Sequence, residues 1–121
     1  MGSNVSVRRL AFIFVPIGLA AVVVTALAAG EPTDAGKAVF LKEKCGLCHA
    51  VKSQGLERTL KTSKAKDLSN VGVEREAAWI EKWLKHEEAI DGKKHEKVWK
   101  GSDQDLANLI QWLGTLKTKQ G

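Results

Sequence analysis

Cys45-Gly46-Leu47-Cys48-His49 is the stretch on which the reading of this chain turns. The two thiols stand three positions apart, and a disulfide between them would close a very small, strained loop. They are the only 2 cysteines in the sequence, so no wider disulfide framework exists. A zinc site needs about four ligands, and only 3 histidines are available to complete one. A redox-active C-x-x-C is expected at the start of a helix after a strand, and no credible strand precedes this one. The remaining match is covalent haem attachment through C-x-x-C-H. Two thiols about one helical turn apart can add to the two vinyl groups on one side of a porphyrin. The histidine directly after the second then falls under the iron.

Helical periodicity surrounds the motif on both sides. Before it, Ala35, Val39 and Phe40 fall on one stripe beside Gly36, which predicts a helix from Asp34 to Lys44 capped by Thr33. After it, residues 52–66 are rich in Lys, Ser and Thr and read as loop. Residues 67–72 read as a turn into a helix from Glu74 to Lys85, with Ala77, Ile80, Trp83 and Leu84 on one face and Trp79 at its edge. Asp91-Gly92 is a turn signal. Ser102, with Asp105 three positions on, starts the last helix, whose apolar stripe is Leu106, Leu109, Ile110, Leu113 and Leu116, flanked by Trp112. The expected fold class is all-α.

The N-terminus reads differently. Arg8 and Arg9 precede an almost unbroken apolar run, residues 10–29, long enough for a signal peptide or a transmembrane anchor. Ala26-Leu27-Ala28 fits a cleavage site, and cleavage there is the expectation. In either case residues 30–121 are exported, to the periplasmic side of a bacterial inner membrane. The general secretory route is favoured over twin-arginine export, because haem is attached to an unfolded chain. The formal net charge is +5; without Arg8 and Arg9 it is +3, too mild for a nucleic-acid binder. The exported domain is small enough that its core needs a filler, and a buried haem is one.

On these residues the exported domain, from about Thr33 to Lys117, resembles a class I c-type cytochrome of the small bacterial kind. The resemblance implies three to four helices around one covalently bound haem c. Gly36-Lys37-Ala38-Val39-Phe40 resembles the family's N-terminal helix, where a glycine and an aromatic cross the last helix, and Trp112-Leu113 resembles the partner position. Residues 67–72 resemble the segment after the family's Gly-Pro pair, which is Ala65-Lys66 here. The proline carbonyl usually accepts a hydrogen bond from the proximal histidine, so the carbonyl of Ala65 or Lys66 is the substitute.

The larger departure lies at the sixth ligand. The resemblance places a methionine on the loop before the last helix, but the only methionine is Met1. His95 stands in that place, shortly before Trp99-Lys100-Gly101, so the implied iron ligands are His49 and His95. His86 is the second candidate and a vacant sixth site the third. The 4 tryptophans suit a haem pocket, since indoles fill irregular volume and can donate to a propionate. Core packing serves equally for Trp79 and Trp83. Trp99, four residues after His95, is the haem-facing candidate.

The cofactor-binding set is therefore Cys45, Cys48, His49, His95 and Trp99, and the expected role is that of an electron carrier, not an enzyme. Its partners would be a redox protein donor and acceptor, with Lys93, Lys94, Lys97 and Lys100 around His95 suiting an acidic docking surface. A retained 10–29 segment would instead make a membrane-anchored haem subunit of a larger redox complex. A third class, a sensor or enzyme with open iron for nitric oxide, carbon monoxide or peroxide, would require His95 not to ligate.

Overall fold

The central helix contact follows from one missing side chain. In the computed structural model, which describes residues 32–118 and the single position Gly18, a Cβ at Gly36 would lie 2.2 Å from Trp112 Cβ and 2.3 Å from the Asn108 carbonyl oxygen. Only glycine lets the two backbones approach this closely. Gly36 sits on α1 (Pro32–Lys42) and Trp112 on the last helix, α4 (Asp103–Thr115). Phe40, one turn on from Gly36, meets the Trp112 ring edge to face at 5.2 Å. Val39, Phe40, Leu109, Trp112, Leu113 and Leu116 are buried around this crossing.

Between these helices lie α2 (Val71–Glu74) and α3 (Ala77–Leu84), both packed against α4. Gly72 docks on the end of α4: its N–H donates to the Leu116 carbonyl at 3.0 Å. A Cβ there would sit 2.4 Å from the Gly114 oxygen. Among the described residues no strand forms, only the isolated bridges Val51–Leu56 and Ile90–Lys93. The all-α expectation therefore holds for them. No helix among them is long and apolar enough to cross a membrane. The expected signal or anchor, residues 10–29, lies outside the described residues apart from Gly18.

Five local expectations change. The first helix begins at Pro32, not Asp34, because proline at the first helical position loses no intrahelical bond; Thr33 lies inside it. It ends at Lys42, not Lys44, because Lys44 turns left-handed at φ 59°. The helix expected over 74–85 is split, since Arg75 is extended (φ −139°, ψ 138°) and redirects the chain between the Gly72 dock and the Ile80 dock. Ala77, at the start of α3, is exposed. Last, Trp112 is not a flank of the α4 stripe but part of it, 2% exposed, while Ile110 is half-buried. The Ser102 cap is as expected, its Oγ accepting from the Asp105 N–H at 3.1 Å.

Candidate functional site

The attachment motif starts where α1 stops. Left-handed Lys44 turns the chain into a single tight helical turn, Cys45–Leu47, and the N–H groups of Cys48 and His49 both donate to the Cys45 carbonyl, at 3.2 and 3.0 Å. Cys45 and Cys48 are half-buried and not joined to each other. Burial pushes the Cys45 thiol above its ordinary value, with Glu43 adding and Lys97 opposing. Among the described residues no group of three or more His, Cys, Asp or Glu side chains converges on a bare metal position.

The 58–68 segment wraps the motif and takes over what a rigid proline would do. Thr59 and Leu60 donate their N–H groups to the Gly46 and Leu47 carbonyls, at 3.0 and 2.8 Å. Ser63 Oγ donates to the Cys48 carbonyl at 3.1 Å and accepts from Ala65 N–H at the same distance. Lys66 pairs with Glu74, and Leu68 N–H reaches the Ala50 carbonyl at 2.9 Å. So held, the Lys66 carbonyl lies 2.7 Å from His49 Nδ1. Of the two substitutes that the sequence left open, Lys66 makes the contact and Ala65 does not. A carbonyl can only accept, so the hydrogen sits on Nδ1 and the lone pair on Nε2. Burial pushes His49 below its ordinary value, His95 and Arg58 add to this, and the Lys66 carbonyl opposes it.

His95 mirrors that arrangement. Its Nδ1 lies 2.6 Å from the Lys97 carbonyl, so its Nε2 also carries the free lone pair. The two imidazole ring centres lie 6.0 Å apart, with planes only 8° from parallel. A single metal ion held by both through bonds of about 2 Å would place their centres on the order of 6 Å apart. The 6.0 Å separation of the ring centres fits one iron shared by both. His86, the second candidate, takes a left-handed backbone (φ 63°) after α3, and its Nε2 is buried with no partner. No close approach joins its ring to His49 as one joins His95.

Trp99 contributes a different signature. Its N–H is tied to the Leu84 carbonyl at 2.8 Å, and its ring packs over Gly101, where a Cβ would come within 2.6 Å. The indole Nε1–H is buried without any partner. A buried orphan donor is costly, and an anionic propionate would satisfy it. The residues present thus fit a haem: two thiols, two parallel imidazoles and an unpaired donor.

The sequence underrated three groups here. Trp83, for which core packing and a haem-pocket role served equally, packs T-shaped against His95 at 5.7 Å and stacks on Trp79 at 5.4 Å. Arg75 covers Trp79 at 4.2 Å. Lys97, grouped with the docking lysines, is engaged with Glu43. The i, i+4 spacing of Arg75, Trp79 and Trp83 was the available signal for the first two; Lys97 acts largely through a backbone carbonyl and gave none.

The family model described as Cytochrome c matches residues 33–117, most of the chain. No curated protein and no solved structure matches it.

Proposed function

The chain belongs to the cytochrome c family, and from that premise we propose that it is a single-haem electron carrier of an exported electron-transfer chain, with His49 and His95 as the two axial ligands. Members of the family bind haem c covalently, and Cys45 and Cys48 fit the two thioether positions. They exchange electrons with redox partners. The haem supplies a one-electron couple between ferrous and ferric iron. The chain's own residues hold and tune it. His49 and His95 present neutral Nε2 lone pairs, fixed in orientation by the Lys66 and Lys97 carbonyls. Trp99 offers its unpaired N–H to a propionate.

The observation that carries the ligand assignment is the parallel pair of rings 6.0 Å apart. Two imidazoles on one iron leave no position for a substrate, which is why the reading is a carrier and not an enzyme. Imidazole donates more strongly than thioether and favours ferric iron, so the potential falls below that of a His/Met cytochrome of similar burial. Docking on an acidic partner uses exposed Lys93, Lys94 and Lys100, and such association weakens with salt. Export rests on the 10–29 run and on the chemistry of haem attachment.

The test compares His95→Ala with His86→Ala in holoprotein. His95→Ala should give high-spin or ligand-accepting iron, and His86→Ala should leave the absorption spectrum unchanged. A spin-state change in His86→Ala alone would reassign the sixth ligand, and no change in either would remove histidine from that position.

A further inference from the structure

Lys97 touches both sides of the haem site. Its carbonyl holds His95 Nδ1 at 2.6 Å. Its side chain runs to the other flank, where Nζ donates to the Glu43 carbonyl at the end of α1, two residues before Cys45. The Glu43 carboxylate lies 3.7 Å from the same ammonium. One residue therefore fastens the segment bearing His95 to the segment bearing the thioether cysteines. No other side-chain hydrogen bond or ion pair among the described residues joins 92–101 to the motif's flank.

We propose that Lys97 is a latch: a positioning residue that keeps the 92–101 loop closed and His95 on the iron. The proposal rests on the bis-histidine reading above. The carbonyl contact matters more than the ion pair. Glu43 lies at the negative end of the α1 dipole, where a cation bonding a free carbonyl is favourable. The Lys97–Glu43 ion pair is long, at 3.7 Å, and its ammonium side is 57% exposed, so it contributes little. The Trp83 edge blocks the ring from one side, so closure also fixes the imidazole's rotation. Without the latch the loop still closes through the Trp99–Leu84 bond, but it opens more often.

Carbon monoxide uptake by the ferrous holoprotein reads the opening directly, because the gas binds only while the distal ligand is away and its rate follows the open fraction. Lys97→Met keeps the apolar stem and removes the ammonium. It should raise the uptake rate about fivefold, while the resting iron stays low-spin. Lys97→Arg should restore the rate to within about twofold, since a guanidinium can still donate to the carbonyl. Glu43→Gln retains that carbonyl and should change the rate less than Lys97→Met does. Acceleration by His95→Ala with none from Lys97→Met overturns the latch alone. If His95→Ala itself fails to accelerate uptake, the ligand assignment falls and the latch falls with it. An equal effect of Glu43→Gln and Lys97→Met overturns the role given to the carbonyl.

Discussion

Trp99 and Asp67 show how single residues set the properties of the site. An N–H donated to a propionate offsets part of its negative charge, and that charge otherwise stabilises ferric iron. Trp99→Phe keeps the ring and removes the donor, so the reduction potential should fall while the spin state stays unchanged. A redox titration of the two proteins checks this, and an equal or higher potential would mean that the indole does not face the propionate. Asp67 acts on stability. Burial pushes its carboxyl up, but the Ser69 hydroxyl and N–H, together with Lys52, outweigh this and hold it below its ordinary value of 3.8. A group lowered in the folded state stabilises above its unfolded value and loses that stabilisation as pH falls through the folded one. Asp67→Asn should therefore lower the midpoint of urea unfolding at neutral pH, with the difference vanishing once the pH lies below both values. The group is only half-buried, and solvent screening keeps the effect small. A difference that persists unchanged in strong acid would point to lost packing instead.

At the scale of helices, Gly36 is the position at which one added methyl group does most damage. Its Cβ would overlap Trp112 Cβ and the Asn108 carbonyl, both fixed in the core, so α1 must move away from α4. Gly36→Ala should cost about 1–3 kcal/mol, read as a lower melting temperature of the holoprotein. Ser102→Ala, which removes the α4 cap, should cost about 1 kcal/mol. The same elements show what was legible in the sequence. The α1–α4 crossing was, because glycine, aromatic and apolar spacing are side-chain signals. The Ser102 start of α4 was too. The ends at Lys44 and Arg75 were not: both residues suit a helix, and only docking elsewhere in the fold makes one left-handed and the other extended. Trp112 was misplaced by one face because a strict stripe of aliphatics looked complete without it.

For the whole molecule, the proposed ligation has one haem tie together segments far apart in sequence: the motif after α1, the Lys66 carbonyl, and the loop that carries His95 and Trp99. The motif was legible because its spacing alone carries the chemistry. The Lys66 carbonyl was legible only as one of two backbone choices, and the Lys97 latch not at all. On the reading of residues 10–29 as a signal or anchor, their removal decides whether this unit is released or tethered. The mature protein should have lost them by intact mass and should be recovered without detergent; a full-length mass, with recovery only in detergent, would make it a membrane-anchored carrier or subunit. The central claim is that one iron lies between His49 and His95, whose rings are parallel to within 8°. Electron paramagnetic resonance of the ferric holoprotein, with near-infrared magnetic circular dichroism on the same sample, tests it most directly. Parallel imidazoles predict a rhombic low-spin signal and a bis-nitrogen charge-transfer band. A high-spin signal, or a methionine-type charge-transfer band, would contradict it.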